Sequence, residues 1–115
     1  LALVSDEVCA AYPLDPPSDA VATLHECGAP LAFCLGGLSK YAALPQLKLG
    51  WIAMSGAHAA AAMSRLEWIA DTYLSVGSPV QWALAALLKG TEGVREQIRA
   101  RTRDNLAFLQ TAVRE

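Results

Sequence analysis

Two lysines stand eight positions apart in the stretch "LGGLSKYAALPQLKLGW", Lys40 with Ser39 beside it and Lys48 just before a Gly-Trp pair. A lysine amine attacks aldehydes once it is partly deprotonated. Burial or a neighbouring cation brings that about, and apolar, glycine-rich flanks are a setting where it happens. Taken alone, Lys40 reads as a solvated surface lysine, and it is the surroundings that point to the nucleophile. Lys48 adds a second cation, able to act on Lys40 electrostatically or to bind an anion itself.

Asp6, near the close of the apolar run "LALVSDEV", is the next candidate. A strand-end aspartate can simply cap the turn that follows it. Set beside a pyridinium nitrogen, it would instead keep that nitrogen protonated and preserve the ring as an electron sink. Asp6 and Lys40 together would make a pyridoxal phosphate site. The adjoining His25, Glu26 and Cys27 make a poor metal site, because consecutive side chains rarely converge on one ion and no second cluster matches them; no metal is expected. Trp51, Trp68 and Trp82 read as core packing, and residues 75–78 as a turn.

The elements that must position these residues follow from the apolar pattern. "LALVSDEV" reads as a buried strand ending at residues 6–8, and "PLAFCLGG" as a second strand broken by Gly36 and Gly37, so that Lys40 follows a strand end on a glycine-loosened loop. "LKLGWIAMSG" reads as a third strand, covered on both faces. "YPLDPPSD" is loop, and "AVATLHECG" is expected to be a short helix with Asp19 as cap and Gly28 as stop. Apolar residues at helical spacing predict helices over residues 57–74 and 79–88, and an amphipathic helix from about Glu92 to the end.

Composition bounds the class. The 115 residues suit one domain or a piece of one, and 54% hydrophobic against 17% charged is apolar for a chain with so much surface to keep wet. Some of that surface is expected to belong against missing neighbours. No apolar run reaches the ~20 residues a spanning helix needs, and no targeting segment is evident. With a net charge of −2 and basic residues clustered only where acids interleave with them, a nucleic-acid surface is not expected. Three cysteines without a Cys-x-x-Cys spacing suit a reducing cytoplasm better than a disulfide framework.

"VSDEV", then "LSK" with its lysine 34 positions after Asp6, then "LKLGW" resemble the core of a fold-type-I pyridoxal-phosphate enzyme of the class I/II aminotransferase family, and "TYLSVGSPVQWALAALL" resembles the helix and loop that follow. The resemblance implies part of a three-layer α/β/α large domain. Its sheet would be mixed, with the strand after Lys48 antiparallel, and residues 92–115 would form a long helix leading toward a C-terminal small domain. It implies that Lys40 holds pyridoxal 5'-phosphate as a Schiff base, that Asp6 pairs with the pyridine nitrogen, and that Ser39 and Lys48 hold the phosphate. Lys48 stands where the family has an arginine and so loses the planar bidentate fork. Cys9 stands where a tyrosine usually meets the ring hydroxyl, with Tyr12 as a candidate substitute, and Gly37 replaces a serine of the lysine motif. The loop at residues 75–78 would approach the active site of a partner subunit.

The activity implied is transfer of an amino group between an amino acid and a 2-oxo acid by a cytoplasmic homodimer. Two alternatives share these residues: a C–S lyase on the same fold, and a non-catalytic aminotransferase-like sensing domain of a transcriptional regulator. The chain starts without methionine at a strand and carries no counterpart of the family's glycine-rich phosphate loop, ring-stacking aromatic or substrate-carboxylate arginine. A fragment inactive in isolation is therefore the expectation.

Overall fold

The computed structural model describes residues 1–25, 27–73 and 75–113. Three strands, β1 (Leu3–Asp6), β2 (Ala32–Gly37) and β3 (Gly50–Ser55), form one sheet in the order β1-β2-β3. β1 runs parallel to β2, and β3 antiparallel to it, so the expected mixed α/β sheet with its reversed strand is present. Between β2 and β3 lie the four-residue helix α1 (Leu38–Tyr41) and a 3-10 turn (Pro45–Leu47). α2 (Ala59–Thr72), α3 (Ser78–Gly90) and α4 (Glu92–Ala112) follow. The expected helix over residues 57–74 includes Leu74, and the last helix was expected to reach Glu115; those positions lie outside the described residues.

Only β2 is an inner strand, and burial follows from that. Ala32 and Cys34 are buried, whereas Val4 of β1 is 69% exposed and Ile52 of β3 is 44% exposed. The expectations of a buried first strand and of a third strand covered on both faces are therefore corrected: an apolar run fixes the strand, but each edge strand is flanked on one side only. Gly36 and Gly37 do not break β2 either; they pair with Trp51 and Gly50. A Cβ on Gly36 would lie 2.3 Å from Trp51 Nε1, so the glycine lets an indole cross the strand.

Alternation along the strands puts Cys34, Ala53 and Trp51 on one face and Phe33 and Met54 on the other. Phe33 shares a cleft with Ala61, Ala62 and Leu66 of α2, whereas Cys34, Trp51 and Ala53 share one with Arg95 and Arg99 of α4. Helices thus flank both faces. The tightest packing lies beside the sheet, where Leu38, Ala42 and Leu49 are buried against Val80, Leu84, Leu87 and Leu88, one helical stripe of α3.

Residues 20–25, 27 and 28 do not form the expected helix, and Glu26 of that stretch lies outside the described residues. The Glu7 carboxylate accepts hydrogen bonds from Leu24 N (2.8 Å) and from Thr23 Oγ1 (2.8 Å), and Thr23 Oγ1 accepts one from His25 N at 3.1 Å. These bonds take backbone donors that a helix would need. Beyond this segment Gly56 has φ +99°, and a Cβ there would come within 2.4 Å of the Ala29 carbonyl oxygen, so only glycine fits.

The chain is extended, with a radius of gyration of 17.2 Å against about 13 Å for a compact domain of this length. Trp68 and Trp82 are 79% and 89% exposed, which corrects their assignment to the core; Trp51 alone packs against it. Among the described residues no helix is long and apolar enough to cross a membrane.

Candidate functional site

A four-residue helix has no stability of its own, because nucleation fixes several residues for a single hydrogen bond. α1 forms because its ends are tied elsewhere. Leu38 N donates to Leu49 O (3.0 Å), Ala42 N and Leu44 N donate to Leu38 O (3.1 and 3.2 Å), and the Leu38 side chain is wholly buried. Burying Leu38 and Ala42, with Tyr41 packed against them, turns Ser39 and Lys40 outward, leaving Ser39 half-buried and Lys40 exposed. Lys40 therefore stands on a helical turn directly after β2, neither on a loosened loop nor buried as its apolar flanks suggested.

Lys48 is set by the return of the chain. It ends the 3-10 turn in the left-handed region, at φ 51° and ψ 39°, a conformation that costs a non-glycine residue about 1–2 kcal/mol. That reversal lets Leu49 enter the core and accept the Leu38 N–H while Lys48 stays outside. Ser39, Lys40 and Lys48 consequently line one depression of about 270 Å³, together with Val8, Gly36, Gly37, Leu49 and Gly50. Among the described residues the ion pair formed is Arg99 with Glu96, and neither lysine is paired with a described carboxylate.

Asp6 and Cys9 are not among the residues lining this depression. Both are exposed, and Asp6 Oδ1 accepts the Val8 N–H at 3.2 Å in a local turn. Tyr12 is engaged elsewhere as well. Its hydroxyl lies 2.9 Å from the carbonyl oxygens of both Lys40 and Tyr41, its donor committed to the end of the lysine turn.

Sequence reasoning missed the residues that brace this turn from the other side. The Arg95 guanidinium stacks 4.4 Å from the centroid of the Tyr41 ring, and Tyr41 meets Trp51 edge to face, with centroids 6.0 Å apart. Arg99 Nε donates to Ala11 O at 2.8 Å, tying α4 to the segment that carries Tyr12. The spacing of Arg95 and Arg99, four residues apart on an amphipathic helix, was the available signal. For Glu7 no signal separated it from Asp6. Its backbone bond from Leu24 holds the carboxyl below the usual range, with Thr23 adding to the effect, while burial raises both the Cys34 thiol and the Tyr12 phenol.

No group of three or more potential metal ligands occurs among the described residues; Glu26, part of the weighed His-Glu-Cys run, lies outside them.

A lysine-bearing helical turn at the end of a central strand, with a second ammonium group on the returning turn, defines an α/β protein with two primary amines beside one depression. The sequence profile of the family Aminotransferase class I and II matches residues 1–115, and the chain belongs to that family, whose members are in general pyridoxal-phosphate dependent. Comparisons with curated proteins and with solved structures returned no significant match. The donor set fits such a cofactor, since an aldehyde needs a primary amine and a phosphate needs cationic and hydroxyl donors, and Ser39, Lys40 and Lys48 offer both at one depression.

Proposed function

We propose that this chain carries the lysine turn and phosphate grip of an aminotransferase that moves an amino group between an amino acid and a 2-oxo acid. The observation that carries the reading is the convergence of Ser39, Lys40 and Lys48 on one depression in a member of this family. Bound there, pyridoxal 5'-phosphate would supply an electron sink for charge developing at the substrate α-carbon. Lys40 Nζ would hold that group at its aldehyde carbon and, when free, would take the substrate α-proton as base and return it as acid. Lys48 Nζ and Ser39 Oγ would hold the phosphate. Asp6 is assigned to the pyridine nitrogen and Cys9 to the neighbourhood of the ring hydroxyl; Asp6 Oδ1 accepts the Val8 N–H, and the carboxylate keeps further acceptor capacity.

The reading includes a homodimer, supported by the exposed Trp68, Tyr73 and Trp82, and a cytoplasmic setting, supported by three free thiols at Cys9, Cys27 and Cys34. A product assay on the protein that contains this chain tests it. A new amino acid and a new 2-oxo acid, formed together from an amino donor and an acceptor, is the expected result. Pyruvate with ammonia would point to a lyase, and cofactor binding without turnover to a sensing domain.

A further inference from the structure

α1 is the shortest α-helix among the described residues, and the residue proposed for its chemistry sits one position before its end. The Lys40 carbonyl therefore lies in the last turn, where helical carbonyls lack regular partners. Ala43 N reaches it only at 3.4 Å. The short contact comes from Tyr12, 28 residues earlier, whose hydroxyl lies 2.9 Å from Lys40 O and 2.9 Å from Tyr41 O and has one proton to donate between them. Tyr12 is fixed in its turn: its own N–H donates to Cys9 O at 3.0 Å, and the preceding Ala11 carbonyl accepts Arg99 Nε from α4. Arg95, one helical turn before Arg99, holds the Tyr41 ring from above.

We infer that Tyr12 is the positioning residue for Lys40: its hydroxyl, donated to the carbonyls of Lys40 and Tyr41 and braced from α4 by Arg99, holds the lysine turn so that the Lys40 and Lys48 amines face one depression. Tyr12 touches no reacting atom. Its effect is on the distance between an amine that captures an aldehyde and an ammonium that captures a phosphate. A ligand bearing both groups feels that distance, whereas one bearing the aldehyde alone does not.

The test rests on the reading of Lys40 as the cofactor lysine and separates the two. The folded chain is incubated with pyridoxal 5'-phosphate or, in parallel, with phosphate-free pyridoxal, then reduced with borohydride and mapped for label at Lys40, Lys48 and Lys89. In the unaltered chain Lys40 should take more label from the phosphorylated aldehyde than from pyridoxal, relative to Lys89. Y12F, which keeps the ring and loses the donor, should lower that preference about three- to tenfold, the range of one lost hydrogen bond, while labelling by pyridoxal stays unchanged. A loss of bulk stability alone would change both reagents together.

An unaltered chain labelled mainly at Lys48 or Lys89 overturns the cofactor assignment, and the positioning role falls with it. An unaltered chain labelled at Lys40 with an equal preference in Y12F overturns the positioning role and leaves the assignment standing. Should Y12F not fold, R99Q, which frees Ala11 while leaving Tyr12 in place, must show the same selective loss; an undiminished preference there overturns the inference.

Discussion

The lysine turn and the aspartate turn close neighbouring parallel strands, yet they are held by different means. Lys40 sits between two buried residues, Leu38 and Ala42, in a turn that also draws on Leu49 of the returning chain, the α3 stripe and the Tyr12 hydroxyl. Asp6 ends an exposed edge strand and is oriented by one bond to Val8, two residues on. The lysine turn is set by buried contacts distant in sequence, whereas Asp6 has its backbone paired with Leu35 of β2 but its carboxylate oriented by Val8 alone among the described residues. A chain can thus hold the backbone of its lysine turn firmly while both the lysine and the aspartate at the next strand end stay open to solvent.

The largest expected effect tests that difference in packing. Leu38→Ala should destabilise the chain by about 2–5 kcal/mol, the cost of emptying a fully buried leucine site, whereas Val4→Ala on the exposed strand should cost about 0.5 kcal/mol or less. Urea unfolding of the two variants measures both, and equal losses would break the contrast. Next in size, Lys48→Met keeps chain length and removes the cation, so affinity for pyridoxal 5'-phosphate should fall by about 1.5–3 kcal/mol. Equilibrium dialysis reads this directly, and unchanged affinity would show that the phosphate is held elsewhere.

The smallest effect belongs to the strap at Glu7. Its folded pKa lies below the ordinary 4.5, because Leu24 N–H and Thr23 Oγ1 favour the carboxylate. The stabilisation is therefore present above about pH 4.5 and lost as pH falls through the lower folded value. Melting temperature should drop on acidification across that window in the native chain, and Glu7→Gln should flatten the drop. An identical acid profile for the two would remove Glu7 from the account.

Much of the fold was legible because it is local. The apolar runs before Asp6 and before Gly36, and the helical spacing beyond Ala57, Pro79 and Glu92, mark elements that the structure contains close to those bounds. The reversed third strand came from the resemblance and not from the pattern. What failed depends on partners distant in sequence. Residues 19–28 carry a cap, Asp19, and a stop, Gly28, for a helix, but Glu7 takes the Leu24 N–H. The glycine pair reads as a break, but Trp51 and Gly50 complete the strand. At the site, residue types pointed to Lys40 and Lys48 and the resemblance added Ser39, and packing brings these three together; the resemblance also offered Tyr12 as a ring partner, whereas its hydroxyl is committed to two backbone carbonyls. No periodicity encodes which donor reaches an orphaned helix end.

The central claim is that Lys40 is the amine that takes the cofactor. Borohydride reduction of the protein containing this chain, loaded with pyridoxal 5'-phosphate and digested for peptide mapping, addresses it without depending on turnover. The account predicts one dominant pyridoxyl group, on the peptide bearing Lys40; a dominant label on Lys48 or Lys89, with Lys40 unmodified, would contradict it.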